Sequence, residues 1–202
     1  MDLGLLDAAE MSVVDEFVQG AWGAGPFRWV SCAAHDSNAL TPGQSILASL
    51  DAGTGMDMAS GWSPRSVLGP SPVKLAERVP VIPGKPVTVA VETTGAATLT
   101  VTFRSAAGGV VAMPSRAASG TLAQQLVYSA PSVAPEARTV DVEVSGHVRA
   151  ARPQVSWTRE ARPWVPGRGA EQVVIQSGVA DPVVINPAGG YWSGSLSLIE
   201  VG

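Results

Sequence analysis

Val87-Thr88-Val89-Ala90-Val91-Glu92 alternates apolar and polar or small residues with a period of two, and after a short break Thr98-Leu99-Thr100-Val101-Thr102-Phe103-Arg104 repeats the pattern. Successive side chains of a strand point to opposite faces, so this alternation predicts two strands with one face buried and the other turned to water or a partner. The break between them holds Gly95, and Ile82-Pro83-Gly84-Lys85-Pro86 marks a turn before the first. The chain lacks the helical crossovers of roughly 10–15 residues that a parallel sheet would need, so an antiparallel arrangement is expected.

The same pattern extends on both sides. Phe27-Arg28-Trp29-Val30 reads as a short strand, and Lys74 to Val81 as another. Beyond the Gly108-Gly109 turn come Val110-Val111-Ala112-Met113, Leu122 to Tyr128, Thr139-Val140-Asp141-Val142-Glu143-Val144 and Val155-Ser156-Trp157-Thr158. Gln172 to Ile175, Val183-Val184-Ile185 and Ser195 to Val201 close the chain. Several short strands, punctuated by Gly, Pro or Ser at roughly 8–12-residue spacing, predict an all-β protein: an antiparallel β-sandwich, jelly-roll-like. The 202 residues are enough for one such domain with a sizeable core.

One stretch reads differently. Asp7-Ala8-Ala9-Glu10 has the form of a capping box, Met11, Val14, Phe17 and Val18 share a helical face, and Gly20 supplies a stop. The expected organisation is an N-terminal arm over residues 1–20, with an amphipathic helix from about Asp7 to Gln19, followed by the sandwich over 21–202. Leu3, Leu5 and Leu6 precede this helix with no partner in the arm itself.

Composition limits the classes of function. Hydrophobic residues make up 46% of the chain and charged ones only 15%, against roughly 25% in an average soluble domain. Obligate interfaces are depleted of charge at their centres, so partner subunits are one way to cover such a surface. An ordinary β-protein rich in Ala, Val, Gly and Ser is the other reading. The net charge is −4 and basic residues are scattered singly, which argues against nucleic acid as a partner. The N-terminus carries Asp2 where a signal peptide is basic, and no run approaches the length of a membrane helix. The expectation is assembly in the cytoplasm with no membrane insertion.

Candidates for chemistry are few. Cys32 is the single cysteine, which excludes an internal disulfide and reads as a small buried hydrophobe. His35-Asp36 could pair as base and orienting acid with Ser31 or Cys32 as nucleophile, but no glycine elbow flanks either. His147 follows Ser145-Gly146, where an exposed turn histidine is the ordinary case. Asp51 and Asp57 lie in a Gly-rich loop that lacks the ligand ladder and closing Glu of a calcium site. Glu92, Asp141 and Glu143 lie on strands, where a solvated face is their simplest role. The sequence therefore yields no catalytic, cofactor-binding or metal-binding residue, and the expectation is a chain that is not an enzyme. Six tryptophans remain: Trp22, Trp29, Trp62, Trp157, Trp164 and Trp192. Trp62 and Trp192, in Gly/Ser-rich surroundings, are candidate platforms for a sugar ring; the alternative is that tryptophan seals sandwich ends and subunit interfaces.

Two segments carry a resemblance. Trp22-Gly23-Ala24-Gly25-Pro26-Phe27-Arg28-Trp29-Val30 is followed by Asn38-Ala39-Leu40-Thr41-Pro42-Gly43-Gln44-Ser45, and Ala151-Arg152-Pro153-Gln154-Val155-Ser156-Trp157-Thr158 runs into Arg162-Pro163-Trp164-Val165-Pro166-Gly167-Arg168-Gly169. This ordered pair resembles segments of minor tail proteins of long-tailed phages that infect actinobacteria, over about Ala21 to Gly202. The resemblance implies a structural protein of the virion tail whose partners are other tail proteins and copies of itself. It also implies a carbohydrate-binding-module-like sandwich, with host surface polysaccharide as the alternative partner. Within these segments Trp157 and Trp164 bracket an Arg/Pro corner suited to stacking of arginine on an aromatic ring.

Overall fold

A computed structural model describes residues 2–6, 12, 14–16, 18, 27–30, 34, 36–48, 50, 66–120, 122–186 and 189–200, with β1, β12 and β13 described mainly as backbone. The strands are β1 (Asp2–Leu6), β2 (Phe27–Val30), β3 (Val67–Leu68), β4 (Val73–Pro80), β5 (Val87–Thr94), β6 (Ala97–Ser105) and β7 (Val110–Ala112). They continue as β8 (Ser115–Ala118), β9 (Gln124–Ala130), β10 (Ala137–Ser145), β11 (Arg149–Ser156), β12 (Gly169–Asn186) and β13 (Gly189–Glu200). A single helical turn, α1 (Pro42–Ser45), follows the capping residue Thr41. The all-β reading holds.

The chain divides into two compact units, Val30–Gly169 and a second made of Met1–Trp29 with Ala170–Gly202. In the first, two antiparallel sheets form a sandwich. One has the order β3-β11-β5-β9, and the other β4-β10-β6-β7, with β8 also on β6. Successive strands change sheet at every step except within the β6, β7 and β8 group. That alternation, with each sheet's central strands drawn from distant parts of the chain, is jelly-roll order.

The period-two pattern sets which residues meet between the sheets. Val87, Val89 and Val91 of β5 and Val155 of β11 face Leu99, Val101 and Phe103 of β6 and Val140, Val142 and Val144 of β10 in one core. Full burial of a valine side chain contributes about 1.5–3 kcal/mol, so these central strands anchor the sandwich. Trp157 packs on the core from the end of β11 and donates its indole N–H to the Pro80 carbonyl at 3.1 Å, sealing one end as a tryptophan there should.

Differences from the sequence reading have local causes. β11 begins at Arg149, six residues before the expected start, because its first half carries Arg, Ala and Pro in place of an apolar alternation. β8, in the interval between Met113 and Leu122 where no strand was expected, pairs with β6 although three of its four residues are exposed. Segments expected as two strands near Gln172 and Val183 form one strand, β12, with register shifts between Ile175 and Ser177 and between Pro182 and Val184. Such bulges let a strand carry a proline through a ladder.

In the second unit the order is β1-β13-β12-β2. The leucines of the expected arm are therefore in a strand: β1 pairs with β13, Leu5 opposite Ser193 and Leu6 opposite Trp192. Ser12, Val14, Asp15, Glu16 and Val18 are helical, with Val14 and Val18 half-buried and the other three exposed. Met11, Phe17, Gln19 and the expected boundary at residue 20 lie outside the described residues.

Candidate functional site

The outer face of the β3-β11-β5-β9 sheet carries a third layer. Thr88 and Ala90 alternate with the core valines of β5 yet are each 1% exposed, so this face too is covered. Thr88 Oγ1 donates to the Thr158 carbonyl at 2.8 Å, at the start of the strap formed by the chain beyond β11.

Asn38, wholly buried, fastens the strap further along. Its Nδ2 donates to the carbonyls of Pro153 (3.3 Å) and Val165 (2.9 Å), while its Oδ1 accepts from the N–H groups of Leu40 and Val155, both at 3.3 Å. A carboxamide has two donors and an acceptor with two lone pairs, so this set is complete. Gln154, 1% exposed, donates to the carbonyls of Ser37 (2.9 Å) and Pro163 (3.3 Å). Backbone bonds from Arg168 N–H to Asn38 O and from Gly169 N–H to Leu40 O continue the seam, and Gly167 N–H donates to Ser45 Oγ at 2.9 Å. Gly167 has to be glycine: a Cβ there would run into the backbone carbonyls of Leu40 and Thr41. The segments Asn38–Ser45 and Ala151–Gly169, singled out in the sequence, thus meet in space.

Under the strap β11 is bulged between Ala151 and Gln154, with Arg152 in the left-handed region at φ 51°. The bulge admits Pro153 and redirects Arg152. Its Nη1 donates to both Glu92 oxygens, at 3.1 and 3.2 Å, and its guanidinium lies 6.0 Å from the Trp164 ring centre. Trp164 Nε1 donates to the Pro153 carbonyl at 3.1 Å. The arginine on the Trp164 ring is therefore Arg152, from β11, and not one of the corner between Trp157 and Trp164 where stacking was expected. Beside it lies an open cavity of about 510 Å³ lined by Glu92, Gln124, Gln125, Arg162, Pro163 and Trp164 with flanking alanines. Gln125 stands directly opposite Glu92 in the β5–β9 register, and Gln124 is held by a 3.1 Å bond from its Nε2 to the Gly95 carbonyl.

A second cavity, about 400 Å³, lies on the other sheet and is lined by Lys74, Glu77, Arg78, Arg104, Arg138 and Asp141 among others. Asp141 is not on a solvated face as expected; its side chain is 8% exposed. β4 is bulged opposite it, with Arg78 at φ 52°, and Asp141 Oδ1 accepts the Arg78 N–H at 2.8 Å. Asp141 Oδ2 takes Arg104 Nε at 2.5 Å. A carboxylate that replaces a lost ladder bond explains an acid in the middle of an apolar strand.

His147 is also corrected. It is 1% exposed, and neither ring nitrogen finds a hydrogen-bond partner among the described residues. The β10–β11 turn is pinned on both sides of it, Gly146 N–H to Pro70 O at 2.8 Å and Val148 N–H to Thr94 O at 2.8 Å, which draws the ring inward. Burial pushes its pKa below the usual histidine value. The other candidates fall otherwise. Ser31, Cys32, His35, Asp51, Asp57 and Trp62 lie outside the described residues, Asp36 is exposed, and Trp192 is placed in β13 by its backbone alone. Among the described residues no group of three His, Cys, Asp or Glu side chains could hold a metal ion, and no helix is long and apolar enough to cross a membrane.

No family model matches the chain, and no curated protein does. Among solved structures it is similar to the enzymatically active domain of tailspike protein 4 of bacteriophage CBA120, at 12% identity and a TM-score of 0.33, over 46% of this chain and 13% of that one. The chain thus spans about an eighth of the structure it matches, a phage tail protein. The expectation that the chain is not an enzyme is corrected at this point, since the neighbour is described as enzymatically active. That activity belongs to the neighbour, and the likeness carries no reaction or site residue to this chain.

Proposed function

We propose that the chain is a structural subunit of a bacteriophage tail, a minor tail protein that joins other tail proteins and copies of itself in the virion. The supporting observation is the second unit. The two ends of the chain, 140 residues of sandwich apart, come together in one antiparallel sheet built on the long β12–β13 hairpin. A four-stranded sheet has two faces and two edges to cover, and edges β1 and β2 are only five and four residues long. In a chain with 15% charged residues, neighbouring subunits supply that cover. The Asn38 seam joins Asn38–Ser45 to Ala151–Gly169, parts of the two segments on which the resemblance to minor tail proteins rests, which fits a shared way of building this sandwich.

Size-exclusion chromatography with light scattering on the full chain tests the assembly part. The expected result is an oligomer whose population grows with concentration. A clean monomer at every concentration would count against self-assembly.

A further inference from the structure

From the Trp164 cavity we infer a binding site for a glycan, with one pyranose ring lying in it. It goes beyond the tail reading and does not depend on it. A pyranose presents an apolar C–H face and a rim of hydroxyls that both donate and accept, so its site needs an aromatic surface beside fixed planar polar groups. The cavity supplies both. Trp164 lines it half-buried, its orientation fixed by the bond to the Pro153 carbonyl and by Arg152. Glu92 is 43% exposed, and Arg152 holds its carboxylate in place from one side. Gln125, exposed and opposite Glu92 across the strand pair, adds an amide that donates and accepts, and exposed Arg162 adds a cation on the facing rim. Arg152 at φ 51° serves two of these groups at once, and strained positions held by their surroundings cluster at binding sites.

The volume of about 510 Å³ and the open, shallow form suit one or two sugar units of a longer chain and not an enclosed small molecule. Arg162 gives an acidic sugar such as a uronate a cation to pair with at the rim. The platform is therefore Trp164, and neither Trp62 nor Trp192 is required.

Ligand-observed saturation-transfer NMR on the full chain tests this, with cellobiose, maltose, lactose, chitobiose, mannobiose and digalacturonate as probes. At least one probe should receive saturation from the wild type, with weak affinity typical of a single shallow site. Trp164→Ala should lower that affinity by about tenfold or more, and Trp164→Phe should keep most of it. If Trp164→Ala does not fold, Gln125→Ala and Arg162→Ala decide, because both residues are exposed. Loss with either supports the site. The site is overturned if no probe is saturated, or if the folded variants bind as the wild type does. Incorporation of Gln125→Ala into particles reads the tail proposal separately, and is expected to be unchanged.

Discussion

The Asn38 side chain, itself fully buried, donates to the carbonyl of half-buried Val165 at 2.9 Å, joining positions 127 residues apart. That bond holds the strap on the outer face of a sheet whose other face is the core. Asn38→Ala removes four hydrogen bonds together and leaves backbone groups of Leu40, Pro153, Val155 and Val165 without it. A loss of about 2–4 kcal/mol is expected, read as a lower urea midpoint with an unchanged slope. A change under about 0.5 kcal/mol would show that the seam does not hold the strap.

Gly167→Ala tests the same layer through sterics. The new methyl would occupy the space of the Leu40 and Thr41 carbonyls, which belong to the backbone and cannot turn aside as a side chain does. Limited proteolysis should cut the variant within residues 157–169 far faster than the wild type. Equal cutting would mean that the strap has room to shift.

Asp141→Asn keeps the shape but removes the charge that holds Arg104 and the bulge at Arg78. Breaking a mostly buried pair on one side is expected to cost about 2–4 kcal/mol. Denaturant unfolding of the variant beside Arg104→Leu would check it, and a neutral effect of Asp141→Asn would show that the carboxylate does not hold the bulge at Arg78.

These residues also mark how far the sequence could be read. Strands β5, β6 and β10 were legible because they alternate strictly, and the sheet buries what the alternation marks. β8 and the first half of β11 were not, since Ser-Arg-Ala-Ala and Arg-Ala-Ala-Arg-Pro form strands only because neighbours supply the ladder. Asp141 and His147 looked like surface residues because sequence shows neither a bulge that needs a carboxylate nor a turn pinned from both sides. Trp164 stacks with an arginine, but with Arg152 from the bulge of β11, because the left-handed turn there redirects that side chain. Its cavity was missed because Gln124, Gln125 and Glu92 join it only through strand register.

His147 sets a pH dependence. Its folded pKa lies below its unfolded one, so the unfolded chain binds the proton more readily. The stability associated with the neutral ring is present above about pH 6.5 and is lost as pH falls from there toward the folded pKa, by up to about 1.4 kcal/mol per pH unit. His147→Met should flatten this part of a melting-temperature profile between about pH 7.5 and 5. Parallel profiles for wild type and variant would contradict a buried neutral imidazole.

The claim that this chain belongs to a phage tail is tested most directly by quantitative mass spectrometry of purified particles. The account predicts that the chain is found in intact particles and in tails separated from heads, at a fixed ratio to other tail proteins. Its absence from particles, with all of it recovered free in the lysate, would contradict the account.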